Sequence, residues 1–328
     1  MTIWSVLQTA KRFQSTCASP ERHICGSRVR LHAVDPRLNG EPVRPHKERV
    51  VMYATLMVYL DPFADNAHLL HITADLAERL DASVLGVSAC RLVGVDYDVG
   101  GIPGGVVDVG HGELIEAMEA ARQAALAVFQ GSGRHIECEW RSILHPGPLE
   151  ASVIRQTRSA DLVIASANYR ESLTRGTPYL NIGDLVMQSG RPVLIIPPAI
   201  TEFKARKILV GWKDTREARR AVADALPLLQ MAERVVLVQI ANKKDIEQAE
   251  HGVADVVSWL KRHQVPAQGM TLAEHGRNGP QLAEVAMTEG IDLIVAGAYG
   301  HSRFRQWVLG GVTHNLLLYG DLSALVSH

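Results

Sequence analysis

The chain has 328 residues and a formal net charge of -1, which lacks the basic excess of a nucleic-acid binder or of a protein held on an anionic membrane. Its 47% hydrophobic and 21% charged residues are enough to fill real cores, and its length suits two domains better than one. No apolar run approaches the roughly 20 residues that a membrane-spanning helix needs, and four scattered cysteines without a C-x-x-C pair point to a reduced, cytoplasmic protein.

Residues 1–50 mix Arg, Pro, Ser, Cys and His without a sustained period and read as a poorly structured extension. A secretory signal does not fit, because the apolar residues precede Lys11 and Arg12 instead of following them. A transit peptide is a second reading with little in its favour. Beyond this extension, strand-like and helix-like segments alternate. "TLMVYLD" (Thr55 to Asp61) is a strand, "NAHLLHITADLAERL" a helix and "ASVLGVSA" a strand. The Gly-rich "VGGIPGGVVDVGHG" (Val99 to Gly112) lacks the Lys-Ser/Thr of a P-loop and reads as a strand-to-helix connection. "GELIEAMEAARQAALAVF" is a helix, and "SADLVIASA" (Ser159 to Ala167) and "SGRPVLIIPP" are strands. Cys90 and Cys138 lie in strand-like segments and read as small core residues.

"PPAITEFKAR" (Pro197 to Arg206) is the linker, after which the pattern repeats. "KILVGWK" (Lys207 to Lys213) parallels the first strand, "RVVLVQIA" the second, "GIDLIVAGA" the strand of Ser159 to Ala167, and "YGDLSALVSH" the last. Near-continuous apolar strands alternating with helices predict an α/β fold of two tandem doubly wound domains. Each would have a mainly parallel five-stranded sheet covered by helices, with ligands at the carboxyl ends of the strands. The predicted divisions are 1–50, 51–200 and 205–328.

The candidate chemistry lies near the C-terminus. The run Leu293 to Ala296 stops at Gly297, Gly300 follows at a spacing of three, and nine residues separate Gly300 from Gly310, Gly311, Val312 and Thr313. Glycine tolerates positive φ and close approach to its backbone. Two such turns, the second opening a helix, would gather free N–H groups suited to phosphate. The alternative is that these glycines only make tight turns. The fourteen histidines contain no H-x-x-x-H frame; His68 and His71 are three apart but lack an acidic or Cys partner and read as a helix-surface pair. His23 and Cys25 are too sparse for a zinc site. No G-x-S-x-G, Cys–His pattern or motif-placed carboxylate pair assigns a catalytic residue, and no metal site is predicted.

The G-x2-G-x9-G pattern with its following small residues resembles the ATP-binding signature of the universal stress protein family. "KILVGWKDTREARRAVADALPLL", "ERVVLVQIA", "LAEVAMTEGIDLIVAG" and "LSALVSH" are similar to that family's successive strands and helices. The resemblance implies a tandem member of the family, its two halves paired as an intrachain pseudo-dimer much as two chains pair in single-domain members. A homo-dimer is a further expectation. It also implies that ATP, with Mg, or a related adenine nucleotide binds the second half as a switch read by a protein partner in stress adaptation. Hydrolysis, if any, would be slow and incidental.

The implied contacts are Gly211, Trp212 and Lys213 at the end of the first strand, Ile240 packing on the base, and Gly297, Gly300, Gly310, Gly311, Val312 and Thr313 around the phosphates. Tyr299 and His301 flank the second glycine. Lys213 stands where ATP-binding members carry Asp; either Asp214 substitutes for it, or Lys213 donates to a phosphate, or it is a solvated loop lysine. Gly311 replaces a Ser or Thr. In the first half Ser166, Tyr169, Leu180 and Asn181 replace the glycines while Asp61 retains the acid, so that half reads as a worn copy, with pooling of the two sites into one pocket disfavoured. The opening "MYATLMVYLD" resembles the usual start of a member, so translation from Met52 is the favoured account of the extension. The rival to the nucleotide reading is a scaffold acting through protein contacts.

Overall fold

The chain divides into Met1–Arg49 and Val50–His328. The structure, a computed structural model, describes residues 53–91, 111–131, 136–145, 147–167, 180–276, 278–298 and 322–328, all in the second unit. The Gly-rich connection before residue 111 therefore lies outside the described residues.

Apolar runs form the strands. β1 (Thr55–Tyr59), β2 (Ser83–Arg91), β3 (Cys138–His145), β4 (Leu162–Ser166) and β5 (Val193–Ile196) belong to the first half. β6 (Lys207–Trp212), β7 (Arg234–Ala241), β8 (Ala267–Ala273), β9 (Leu293–Gly297) and β10 (Ser323–Ser327) belong to the second. Their order is β3-β2-β1-β4-β5-β10-β9-β6-β7-β8, one ten-stranded sheet in which each half runs through the same sequence of neighbours. Within a half all pairs are parallel. At the seam β5 and β10 are antiparallel, with Leu194 opposite Leu325 and both completely buried.

The repeat extends to individual hydrogen bonds. Asp161 Oδ2 accepts from the backbone N–H of Ala54 (2.9 Å) and Thr55 (3.0 Å) at the start of β1. Asp292 does the same at the start of β6, accepting from Arg206 (3.0 Å) and Lys207 (3.2 Å). Burial pushes the Asp292 carboxyl up, and those two N–H groups oppose the shift.

Helices cover both faces. In the first half they are α1 (Ala67–Leu80), α2 (His111–Gly131), α3 (Leu149–Ile154, continued by a 3₁₀ turn) and α4 (Ile182–Gln188). In the second they are α5 (Arg216–Asp224), α6 (Leu226–Met231), α7 (Ile246–Arg262) and α8 (Asn278–Glu289). α1 closes on Asp81 in the left-handed region (φ 57°), and α8 is followed by Gly290 at φ 63°, where glycine ends a helix without strain. On one face a single core runs across both halves, joining Leu69 of α1, Phe129 of α2, Leu194 of β5, Val222 of α5 and Leu260 of α7.

The connection between the halves is built into that core. Phe203 and Ala205 are buried in it, and Arg79 of α1 donates to the carbonyls of Phe203 (2.8 Å) and Lys204 (3.1 Å). The Tyr53 hydroxyl, from just before β1, donates to the Asp224 carbonyl of α5. The segment read as a linker is thus a packed strap, held because its two apolar side chains gain more from burial than an exposed tether would.

Candidate functional site

In a doubly wound half with strand order 3-2-1-4-5, the crevice lies at the carboxyl ends of the first and fourth strands, where the chain switches sides. For the second half these are β6 and β9, and for the first half β1 and β4. The antiparallel seam reverses strand direction between halves, so the two crevices open on opposite edges of the sheet. Asp61 and Gly297 cannot pool into one pocket.

Gly211, next to last in β6, is half-buried; a Cβ there would meet Leu282 Cδ2 of α8 at 3.2 Å. Trp212 is 8% exposed and lies in the core shared by both halves, and among the described residues its Nε1 has no hydrogen-bond partner. Lys213 is exposed at the strand end. Asp214 turns away: its Oδ1 accepts from Arg219 Nη2 at 2.7 Å and Nε at 3.0 Å, in an exposed pair, so it does not take up the role of the missing acid. Ile240 is half-buried near the end of β7, packed against the small core around Leu209 and Val236.

Gly297 is the last residue of β9 and has no positive φ. A Cβ on it would lie 2.5 Å from Ala218 N and Glu217 C and 2.7 Å from Glu217 O. Its glycine identity therefore serves close packing of α5 onto the strand and not a tight turn, so the turn alternative fails at this position for a reason the spacing could not reveal. Gly300, Gly310, Gly311, Val312 and Thr313, with Tyr299 and His301, lie outside the described residues.

The first turn of α5 borders the same crevice. Thr215 caps it, its hydroxyl accepting from Ala218 N at 3.3 Å. Glu217 folds its carboxylate back over the helix end. There its own backbone N–H, the Thr215 hydroxyl and Arg216 hold it below the usual carboxylate range. Its side chain is 13% exposed, against 76% for its neighbour Arg216, 3.2 Å away. The only sequence signal for Glu217 is an acidic residue in the first turn after a Thr cap; the third position after the cap, where a capping box needs Glu or Gln, is Ala218.

The first-half crevice has different contents. Tyr59, at the place of Gly211, is buried in the core of that face, and Leu60 stands at the place of Trp212. Asp61 uses Oδ1 to accept from Phe63 N at 2.9 Å. Ser166 stands where the second half has Gly297, its hydroxyl 3.5 Å from His68 Nε2 of α1. Burial lowers the His68 pKa, so the imidazole is neutral at pH 7. His68 is therefore not half of a surface pair: it is half-buried toward Ser166 while His71 is exposed. Among the described residues no group of three or more His, Cys, Asp or Glu could hold a metal ion. Leu180 is buried, and Asn181 caps α4 by accepting from Asp184 N at 3.2 Å, so a side chain of the chain itself satisfies that helix end. Tyr169 lies outside the described residues. Cys90 is buried, which pushes its thiol up to about 11, and Cys138 is half-buried at the start of β3.

Fold and crevice define a doubly wound α/β protein of two similarly built halves. Residues 204–328 match the profile of the Universal stress protein family. A universal stress protein from Archaeoglobus fulgidus DSM 4304 superposes at a TM-score of 0.61 with 11% identity, covering 84% of this chain and 96% of that one. A putative universal stress protein from Pseudomonas aeruginosa UCBPP-PA14 gives 0.52 with 12% identity, covering 84% and 94%. At these identities the likeness is one of fold. The universal stress protein from Archaeoglobus fulgidus in complex with dAMP is 18% identical over 44% of this chain and 98% of that one; its TM-score of 0.30 says nothing of what this chain binds. No curated protein matches the chain. Among the described residues no helix is long and apolar enough to cross a membrane.

Proposed function

We propose that the second half, residues 205–328, binds ATP or a related adenine nucleotide in the crevice at the ends of β6 and β9, and that residues 51–200 are a degenerate copy supporting it. The observation that carries this reading is the coincidence of the family match over residues 204–328 with the G-x2-G-x9-G signature, whose first glycine ends β9 at the switch point. Gly211 and Trp212 border the base end with Ile240 nearby. Gly297, Gly300, Gly310, Gly311, Val312 and Thr313 supply the phosphate end, and Lys213 donates to a phosphate. The first half supports the reading by contrast, since Tyr59 and Asn181 fill or satisfy what the second half leaves to glycine.

Binding engages residues 300–313 and shifts an equilibrium that a protein partner reads in the cytoplasm during stress adaptation. Mg accompanies ATP, and no residue is assigned a catalytic role. One observation favours the scaffold reading instead: the packing of Gly297 against α5 accounts for that glycine without any ligand.

Calorimetric titration of the full chain, freed of co-purified nucleotide, with Mg-ATP separates the two. Saturable binding at about one site per chain is expected. No heat up to millimolar ATP in folded protein overturns the nucleotide reading and leaves the scaffold.

A further inference from the structure

Among the described residues the ten-stranded sheet ends in two strands, β3 and β8, that have a neighbour on one side only. Proteins guard such edges with charge or proline, because free backbone groups there otherwise pair with another chain. β3 has a guard of this kind in Glu139 and Arg141, paired at 2.7 Å. β8, with the sequence AQGMTLA, contains neither a charged residue nor a proline.

The ladder fixes which groups of β8 face outward. β8 is parallel to β7, with Val235 opposite Ala267 and Ala241 opposite Ala273. The Val235 N–H donates to the Pro266 carbonyl (3.1 Å) and the Glu274 N–H to the Ala241 carbonyl (2.8 Å), so the even-numbered residues face β7. The alternate residues Ala267, Gly269, Thr271 and Ala273 then turn both backbone groups away from it. The chain itself partly closes the outer two. The Ala267 N–H donates to the Val265 carbonyl (2.8 Å), and the Ala273 carbonyl accepts from Gln281 Nε2 (2.8 Å). Among the described residues the outward groups of Gly269 and Thr271 have no partner; Gly269 is exposed and Thr271 half-buried. The free groups are thus arranged symmetrically about Met270.

We propose that β8 is the surface through which two copies of this chain pair, antiparallel and two-fold about Met270. Gly269 of each copy lies opposite Thr271 of the other, and each pair exchanges two hydrogen bonds. An edge whose free groups are symmetric about one residue is complementary to itself, as a two-fold contact requires. Met270 and Leu272 are half-buried on the face that packs against the core around Leu209. In the dimer Met270 meets its own copy and Leu272 meets Gln268, which covers both. An edge of seven residues makes an interface at the small end of the range, so the pairing is of micromolar strength.

Sedimentation equilibrium of the reduced full-length protein tests this. The parent is expected to pass from monomer to dimer between about 1 and 100 µM. Thr271→Pro removes an outward N–H that its own copy does not use, and is expected to weaken the dimer about tenfold, with thermal melts reporting its folding. Met270→Cys brings two thiols together at a non-hydrogen-bonded pair and is expected to cross-link the copies on mild oxidation. Gln268→Cys, opposite Leu272, is expected not to. Peptide mapping separates this bridge from any made by Cys17, Cys25, Cys90 or Cys138. A parent that stays monomeric over that range, or a dimer indifferent to a folded Thr271→Pro, overturns the assignment. So does a Met270→Cys protein that cross-links no better than Gln268→Cys, and this comparison decides the matter if Thr271→Pro does not fold.

Discussion

Replacing Gly297 with Ala places a methyl group 2.5 Å from Ala218 N and Glu217 C, about 1 Å inside ordinary contact. None of those atoms is the end of a flexible side chain; all belong to the backbone of α5. The helix must therefore shift as a body, and its buried face (Ala218, Ala221 and Val222) is seated in the core shared by both halves. Overpacking of this kind costs about 1–3 kcal/mol. With a urea m-value near 3 kcal/mol per M, the upper end of the range for small proteins, the midpoint falls by about 0.3–1 M. Urea unfolding followed by far-UV circular dichroism measures this, with Ser166→Ala as the control. At that equivalent position the first half already accommodates a Cβ, and removing a hydroxyl 3.5 Å from His68 costs under about 1 kcal/mol. A Gly297→Ala protein whose midpoint matches the parent would refute the packing argument and return Gly297 to the ligand site alone.

Two more outcomes follow from the same geometry. Trp212→Phe is expected to cost under about 1.5 kcal/mol, because the lost indole N–H has no partner among the described residues, whereas Trp212→Ala should cost about 3–5 kcal/mol; urea midpoints compare the two. Glu217 has a lowered folded pKa, so its charged form contributes stability that is complete above the unfolded value of about 4.3 and is lost as pH falls through the folded one. Asp292 has the opposite sign: burial raises its pKa, so its contribution is complete below the unfolded value of about 3.9 and is lost as pH rises through the folded value. Melting temperatures between pH 2 and pH 6 should therefore show a shallower acid loss in E217Q than in the parent.

Much of the architecture is legible in one dimension, because a strand buried on both faces must be apolar throughout and glycine must punctuate it. Hence β1, β2, β4, β5, β6, β7, β9 and β10 can be read from their residues, and the internal repeat with them. β8, "AQGMTLA", escapes, because an edge strand buried on one side only carries Gln, Gly and Thr and has no continuous apolar signal. The pairing of Asp161 and Asp292 with the starts of β1 and β6 was invisible, since it joins residues 106 and 85 positions apart.

The sequence by itself determined the fold class, the repeat, the glycine signature and its contrast with the first half. All of these depend on local residue type and periodicity, which short-range sterics and burial dictate. Only the tertiary structure decided three further points: the crevices open on opposite edges, Gly297 is held by the backbone of α5, and a carboxylate from that helix lies over the helix end beside it. Each is settled by which segments the antiparallel seam and the shared core bring together. Such contacts between distant residues leave no period in the chain.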